Sequence, residues 1–194
     1  KYKLTQEQLG KDICSITHIS KIECNQTTYS PEIISLLSKR LGINIELEVN
    51  KLKNIKQHLF HWQDAIIMQS FEDMEQINSE LERELLIEIS EYRFMYQLLR
   101  ARYFLMKNWP LEAIKTIKKL QKIENKLTPY ETNLLKHVMG IYYIAKQEYV
   151  KAIETLKTIQ NEDYNNPEYY YHLAIAYHTI QSPVLAYYYA EKSH

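Results

Sequence analysis

The stretch that decides the fold lies at 5–23, TQEQLGKDICSITHISKIE, near the start of a chain of 194 residues. Thr5 and Gln8 have the spacing of a capping box, which predicts a first short helix. A second helix is predicted from about 15 to 24, with Ile19 facing inward. Two short helices joined by a tight turn, the second polar on its outer side, are typical of a helix-turn-helix.

A third short helix follows a polar loop. Ser30 is a good N-cap, Pro31 suits the first helical position, and Gly42 is a natural C-terminal stop. Helices this short can bury a core only by packing on each other. We therefore predict a small helical domain at 1–45, in which the second helix would enter the major groove of DNA.

The same residues resemble the lambda-repressor/Cro (XRE) type of DNA-binding domain. The turn DICS at 12–15 is most similar to that of the peptide-pheromone-sensing regulators of Gram-positive bacteria, the PlcR/Rgg-like (RNPP-type) group. In this family a further helix would precede Leu4, so we expect the sequence to begin inside the domain, with its first helix truncated. The segments that carry the resemblance are LTQEQL at 4–9, ISKIE at 19–23, SPEI at 30–33 and KRLGI at 39–43.

Composition favours an all-α protein, because 17 Tyr accompany many aliphatic residues while only 3 Gly and 5 Pro occur. The formal net charge is zero, which argues against a general attraction to nucleic acid. Within 1–45, however, basic residues outnumber acidic ones, and a local excess suits specific DNA binding. The basic residues are Lys1, Lys3, Lys11, Lys21, Lys39 and Arg40, against Glu7, Asp12, Glu23 and Glu32.

The side chains that could bind a metal are too few and too scattered. Cys14 and Cys24 lack the further ligands of a structural zinc site and suit reduced thiols in a cytosolic protein. His58 and His61 have helical spacing but no apparent third ligand, so neither a metal nor a cofactor is expected. No catalytic motif and no apolar run of about 18 residues occurs. We therefore expect a cytoplasmic protein that is neither an enzyme nor a membrane protein.

Beyond residue 45 the hydrophobic pattern is helical, and it repeats. A small residue on one helix is followed twelve positions later by Ala on the next, and successive copies lie 39 and 34 residues apart. This is similar to the tetratricopeptide repeat, a pair of antiparallel helices with small residues where they cross. The pairs are Ala101 and Ala113, Gly140 and Ala152, and Ala174 and Ala186.

The repeats define the rest of the domain organisation. We predict a linker at 46–53, then a tetratricopeptide-type α-solenoid at 54–194 that is incomplete at its C-terminus. A weaker copy at 58–81 has Trp62 and Met74 in the paired positions. The predicted fold class is therefore all-α, a helix-turn-helix domain followed by a helical-repeat sensor and dimerisation domain.

Polar side chains on the second helix are the candidates for reading DNA. Thr and His can donate to or accept from base edges, Ile can contact a thymine methyl, and Lys21 suits guanine or a phosphate. The XRE resemblance implies that Gln6 reaches a phosphate, and the loop before Ser30 offers further phosphate contacts. A solvated face without a DNA partner is the alternative. The predicted DNA-binding residues are Gln6, Ser15, Ile16, Thr17, His18, Lys21, Thr27, Thr28 and Tyr29.

The concave surface of the repeats is the second candidate site, since the first helix of each tetratricopeptide unit lines a groove. Aliphatic and aromatic side chains with one or two cations suit an extended or helical peptide, and Arg102 could pair with its free carboxylate. Alternatively, these residues pack against neighbouring helices or a second subunit. The predicted peptide-binding residues are Gln63, Leu98, Arg102, Leu105, His137, Ile141, Ile144, Tyr171, Ile175 and His178.

Three functions are compatible with this organisation. The resemblance implies a homodimeric transcription regulator of quorum-sensing type, which binds a palindromic operator in double-stranded DNA and responds to a short, re-imported signalling peptide. In the second hypothesis the repeats bind a folded protein partner at a promoter. In the third, the repeats of a phage-type or mobile-element repressor only dimerise, without any ligand.

Overall fold

The computed structural model describes residues 4–24, 26–28, 30–88, 90–160, 162, 164 and 166–193. Throughout these ranges the regular structure is helical, which confirms the predicted all-α class. The chain forms two compact units, Lys1–Asn54 and Ile55–His194. The α-helices are α1 (Gln6–Gly10), α2 (Ile16–Glu23), α3 (Pro31–Leu41), α4 (Ile45–Ile67), α5 (Phe71–Arg83), α6 (Arg93–Met106), α7 (Pro110–Gln121), α8 (Pro129–Ala145), α9 (Tyr149–Leu156), α10 (Glu168–Thr179) and α11 (Pro183–Lys192).

The helix ends predicted for the first unit are all present. Thr5 and Gln8 form a complete capping box at the start of α1. The hydroxyls of Ser15 and Ser30 each accept a backbone N–H three residues on, and α3 ends at Gly42, whose φ is 62°. Because only glycine adopts this left-handed backbone at no steric cost, the end of α3 is fixed by one residue.

Packing of the first unit depends on a glycine and an arginine. A Cβ added to Gly10 would lie 3.1 Å from Cγ1 of Ile19, which is 1% exposed, so α1 and α2 approach closely. Arg40 on α3 donates to the carbonyl of Leu9 at 3.1 Å and to that of Lys11. Its positive charge thus lies against the unpaired carbonyls at the C-terminal end of α1, where a cation is favourable.

The segment that we expected to be a linker, 46–53, is helical and forms the first two turns of α4. Asn44 explains this difference, because its side-chain oxygen accepts the backbone N–H of Leu47 at 3.1 Å. Asn44 therefore acts as an N-cap, and Glu46 and Glu48 supply negative charge in the first turn.

The second unit consists of four helical hairpins as far as the structure describes it, although the first helix of the first hairpin begins before the unit does, at Ile45. The hairpins are α4/α5, α6/α7, α8/α9 and α10/α11. Each hairpin turns at a residue with a left-handed backbone, φ between 56° and 60°. At each turn the following N–H reaches back to a carbonyl five residues earlier, at 2.8–2.9 Å, which is the Schellman arrangement. The turn residues are Gln69, Asn108, Gln147 and Gln181.

The weaker repeat copy at 58–81 shares this turn even though its small residues are missing. Trp62 and Met74 are both fully buried, and the indole N–H of Trp62 donates to the Met74 carbonyl at 3.1 Å. A large aromatic side chain therefore fills the space between α4 and α5.

The small residues of the other hairpins lie where their helices cross. Ala101, Ala113 and Ala152 have no exposed surface. Gly140 makes the tightest approach, since a Cβ there would lie 2.4 Å from Cδ2 and 2.5 Å from Cγ of Leu156. Leu156 is itself fully buried. The α8/α9 crossing therefore tolerates no side chain at this position.

Gly140→Ala is expected to lower the free energy of unfolding by about 1–3 kcal/mol, because the added methyl overpacks the crossing and moves Leu156. Chemical denaturation measures the change. The double variant Gly140→Ala/Leu156→Ala should lose less than the sum of the two single variants, since removing the leucine makes room for the methyl. Strictly additive losses would contradict the proposed contact.

Candidate functional site

The start of α2 is exposed and fixed by its cap. The Ser15 hydroxyl accepts the backbone N–H of His18 at 3.2 Å. Ile16, Thr17 and, one turn later, Lys21 are exposed, Ile16 to 49%. Three of the predicted DNA-binding residues, Ser15, Ile16 and Thr17, therefore share one accessible helix start, and Lys21 adds an exposed cation in the last turn.

His18 differs from the prediction of an outward-facing residue. Its ring is half-buried, and Nε2 is enclosed without a hydrogen-bond partner among the described residues. His18 lies four residues before the half-buried Ile22, so both belong to the side of α2 that turns toward the core. Thr17 is consequently the better-placed side chain for a base edge.

The remaining predicted DNA-binding residues differ in their exposure and in their hydrogen bonds. Gln6 is half-buried, and its amide donates to a carboxylate oxygen of Glu23 at 2.6 Å, joining the start of α1 to the end of α2. Thr27 is half-buried with its hydroxyl donating to the Thr28 carbonyl at 3.2 Å, whereas the Thr28 side chain is exposed. Tyr29 lies outside the described residues.

The predicted groove residues of the second unit fall into three groups by exposure. Tyr171 and His178 are exposed, the former to 51%. The half-buried ones are Gln63, Ile141, Ile144 and Ile175. Leu98, Arg102, Leu105 and His137 are buried, so they belong to the packed interior in this structure rather than to an open surface.

Two of those four, Arg102 and His137, are buried among other polar side chains. The helices α6, α8 and α10 pack closely enough for polar side chains on each to meet, and Tyr164, which precedes α10, joins them. We call this group the polar cluster; it consists of Arg102, His137, Tyr164, Glu168 and His172.

An ion pair forms one end of the polar cluster. A terminal nitrogen of Arg102, Nη2, donates to Oε1 of Glu168, and only 3% of the arginine side chain is exposed. The second terminal nitrogen of Arg102 and the second carboxylate oxygen of Glu168 are both buried, and neither has a hydrogen-bond partner in the described part of the chain. The guanidinium, which can bind a carboxylate through two parallel bonds, uses one here.

Two neutral imidazoles and the Tyr164 hydroxyl form the rest of the polar cluster. Nδ1 of His137 lies 2.8 Å from the Tyr164 hydroxyl, and Nε2 lies 3.0 Å from Nδ1 of His172. That same His172 nitrogen lies 3.1 Å from the Glu168 carbonyl, which can only accept. His172 therefore carries its proton on Nδ1, and His137, whose Nε2 accepts, carries its own on Nδ1.

Burial governs the ionisation of these groups. It lowers the pKa of His172 to about 3, with the Arg102 charge lowering it further. Burial also holds the pKa of His137 well below the ordinary 6.5, with His172 and Arg102 adding to the effect. The pKa of Tyr164 is raised, again mainly by burial. At neutral pH the charges of the polar cluster are thus those of Arg102 and Glu168.

A pocket of about 320 Å³ lies beside the polar cluster. Tyr130, which lines it, packs its ring 5.3 Å from that of Tyr164 and hydrogen-bonds through its hydroxyl to the Gln63 amide at 3.1 Å. The pocket wall is mainly apolar, with one basic and two acidic residues. The lining residues are Lys56, Leu59, Phe60, Glu91, Tyr92, Met95, Thr128, Tyr130 and Glu131.

Sequence analysis missed Glu168, His172 and Tyr164. One regularity could have found His172, because Arg102, His137 and His172 are 35 residues apart in succession, close to one repeat length. Glu168 follows Pro167 and resembles an ordinary acidic residue in a first helical turn. Tyr164 lies outside any regular helix, so no periodic pattern identifies it.

Neither a metal-ion cluster nor a membrane-spanning helix is found within the described residues. Groups of three or more His, Cys, Asp or Glu side chains placed to hold a metal ion do not occur there. Nor does any helix in those ranges combine the length and hydropathy needed to cross a membrane.

Comparison with known proteins gives two informative similarities, while no family model matches the chain. The chain is 26% identical over 181 residues to the transcriptional activator NprA of Geobacillus stearothermophilus. This alignment covers 87% of the chain but 43% of the relative, so the chain spans less than half the length of that protein.

The second similarity is to a solved structure, that of NprR in complex with its cognate peptide NprX. The TM-score is 0.66 at 22% identity, over 74% of this chain and 43% of NprR. At this identity the match establishes the fold. The fold shared with NprR and the sequence similarity to NprA confirm the predicted resemblance to the peptide-responsive, RNPP-type transcription regulators.

Proposed function

We propose that this chain is the DNA-reading and sensing part of a cytoplasmic transcription regulator, whose helical repeats bind a short signalling peptide and form a homodimer. The observation that carries the proposal is the exposed, capped start of α2 on a helix-turn-helix unit. The similarity to a transcriptional activator supports it. Catalysis has no part in the proposal.

DNA contacts are assigned to the exposed residues at and near α2. Thr17 would meet a base edge, Ile16 a thymine methyl, and Lys21 a phosphate or guanine. Ser15 and Thr28 would contact the backbone, along with Gln6 if its bond to Glu23 opens. A single unit should bind weakly, so two units of a dimer placed on half-sites about one helical turn apart would supply the specificity.

Thr17→Ala is expected to cost about 1–3 kcal/mol of binding free energy on the preferred operator alone, because one base contact is lost. Lys21→Ala should weaken all duplexes more evenly and reduce the salt dependence of binding if it meets phosphate. Duplexes selected from a random pool with the full-length protein, followed by titration of each variant, provide the measurement.

The matched control for these variants is Lys118→Ala, an exposed lysine of α7 far along the chain. It should leave DNA affinity unchanged. The assignment of Thr17 would be refuted by equal losses on preferred and random duplexes. Absence of any preferred duplex would refute DNA reading itself.

A peptide is the proposed effector because 74% of the chain shares its fold with NprR, which was solved with a peptide bound. The exposed and half-buried predicted residues, with the pocket at Tyr130, are proposed to line the groove. A peptide can act only by binding one arrangement of the repeats better than another. Shifting the DNA-competent population from 1:99 to 99:1 requires a preference of roughly 5.5 kcal/mol.

The protein-scaffold and ligand-free alternatives predict different responses to spent culture medium. Under the peptide hypothesis, genome-wide DNA occupancy changes with medium and the change is lost in Tyr171→Ala, whose side chain is half-exposed. A scaffold would instead lose a folded partner when convex or edge surfaces are altered. A repressor whose repeats only dimerise would show the same occupancy with and without medium.

A further inference from the structure

Arg102 and Glu168 connect two hairpins that are not neighbours in the chain. Arg102 is on α6 and Glu168 is the first residue of α10, with the α8/α9 hairpin between them in sequence. Repeats of a helical solenoid ordinarily contact only their nearest neighbours. The ion pair is therefore a direct tie between the first helices of the α6/α7 and α10/α11 hairpins.

The tie leaves hydrogen-bonding capacity unused on both sides. Nη1 of Arg102 and Oε2 of Glu168 are buried and have no partner among the described residues. Buried polar groups are nearly always bonded, and those that are not call for an explanation. A carboxylate that accepted hydrogen bonds from the guanidinium through both of its oxygens would also bind Nη1 of Arg102. Glu168 accepts through one oxygen and leaves Nη1 unbound among the residues that the structure describes.

Glu168 can leave the site without loss of helical structure. Its side chain is 18% exposed, compared with 3% for that of Arg102, so it is the partner nearer to solvent. It is the first residue of α10, and its backbone N–H is held by the Asn166 side chain at 3.0 Å. Rotation of the carboxylate toward water would break no backbone bond of the helix.

If the Glu168 carboxylate leaves, another anion must take its place to balance the positive charge of Arg102. His137 and His172 are neutral, because burial lowers the pKa of each. Without Glu168, the polar cluster would hold the Arg102 charge alone, which is costly in a buried site. A ligand carboxylate would restore neutrality, while a neutral or basic group would not.

The neighbouring pocket can accept the adjoining part of such a ligand. Tyr130 lies between the two features, lining the pocket and packing on Tyr164 of the polar cluster. Leu59, Phe60 and Met95 give the pocket apolar walls. Such walls suit an aliphatic or aromatic side chain of the ligand.

We propose that Glu168 fills a carboxylate-binding site at Arg102, and that the peptide ligand places its own carboxylate on Arg102, displaces Glu168 and releases the tie between α6 and α10. This inference rests on the proposed function, since it assigns the ligand's anchor. The carboxylate is that of the peptide C-terminus or of an Asp or Glu side chain, which share the same chemistry.

The test compares two acid-to-amide variants of the full-length protein. Glu168→Gln removes the internal competitor. Glu82→Gln is the matched control, because Glu82 pairs at 3.0 Å with Arg100 on the same helix as Arg102, but at an exposed site. Random heptapeptides with free C-termini, selected separately against wild type and Glu168→Gln, are the probes.

We expect Glu168→Gln to bind the selected peptides about tenfold more tightly than wild type. This factor corresponds to a wild-type protein in which Glu168 leaves the site open in about one molecule in ten. Glu82→Gln should bind as wild type does. Amidating the peptide C-terminus, or replacing its Asp and Glu by Asn and Gln, should identify the carboxylate by abolishing the gain.

Three results would count against the inference in distinguishable ways. Equal affinities of Glu168→Gln and Glu82→Gln for a peptide that wild type binds would overturn the inference and leave peptide sensing intact. Tight binding of peptides that lack every carboxylate would do the same. Failure to select any peptide with any variant would overturn both.

A second variant covers the case in which Glu168→Gln does not fold. Glu168→Asp keeps the charge but shortens the reach to Arg102 by one methylene, so the tie weakens without leaving the arginine unpaired. It should bind the selected peptides more tightly than wild type, by a smaller factor than Glu168→Gln. Wild-type affinity in a folded Glu168→Asp would refute the displacement.

Discussion

Arg102→Met is expected to lower the free energy of unfolding by about 1.5–3 kcal/mol, because the buried, charge-assisted hydrogen bond between α6 and Glu168 of α10 is lost. Methionine keeps most of the volume, so a cavity contributes little. Denaturant titration near pH 7 measures the change. The loss should be among the largest of any single substitution in the second unit, since ordinary surface changes stay within about 0.5 kcal/mol.

The double-mutant cycle separates the ion pair from other losses. Arg102→Met/Glu168→Met should recover much of the stability, since replacing both partners by apolar residues of similar size is often neutral. The exposed pair Arg100–Glu82 is the control, for which the coupling energy should stay within about 0–1 kcal/mol. A coupling at Arg102–Glu168 no larger than the control's would refute the buried tie.

Local patterns made much of the fold predictable. Caps such as Thr5 and Ser30 are recognised from one residue and its neighbours, and the structure has them where they were predicted. Small residues twelve positions apart indicated where the helices cross. At Gly140 there is no room for even a methyl group, which shows why that residue must be small. Asn44, by contrast, was overlooked as a cap, so the helical character of 46–53 was not predicted.

The interior of the repeats could not be derived in the same way. Helical periodicity places Arg102 and His137 on the inner side of their helices but does not say how closely those helices approach. Their burial depends on partners far along the chain, since Arg102 and Glu168 are 66 positions apart. Such pairings are properties of the assembled fold, so a sequence pattern assigns these residues to a groove as easily as to a core.

The DNA-facing surface could be predicted from the sequence less fully than the helix caps but better than the interior of the repeats. Thr17 and Lys21 follow from helix geometry, and both are exposed. His18 sits at the border of the buried side, where a shift of a few tens of degrees about the helix axis decides exposure. Which side of that border a residue occupies depends on the packing of α1 against α2, set by contacts such as Gly10 to Ile19.

Acidification from above pH 7 to pH 5 is expected to lower the free energy of unfolding, by about 2 kcal/mol through His172 and in the same direction through His137. In the unfolded chain each imidazole binds a proton with a pKa near 6.5. In the folded protein burial holds both pKa values far lower, that of His172 at about 3. The unfolded state therefore takes up more protons than the folded state. The free energy of unfolding is highest above pH 6.5, where neither state is protonated at these residues, and decreases as the pH falls below that value.

Urea titrations at several pH values with wild type and His172→Gln isolate the effect. The variant removes one of the two buried imidazoles, so the loss between pH 7 and pH 5 should shrink by about 2 kcal/mol, whatever the other histidines contribute. ¹⁵N spectra of the folded protein at pH 5 should show both rings neutral, with the proton of His137 on Nδ1. Identical pH dependence in wild type and variant would mean that His172 is accessible to protons in the native state, and that the polar cluster is open to water. The packing of α6, α8 and α10 that encloses Arg102 would then also be in doubt, because the same helices bury both groups.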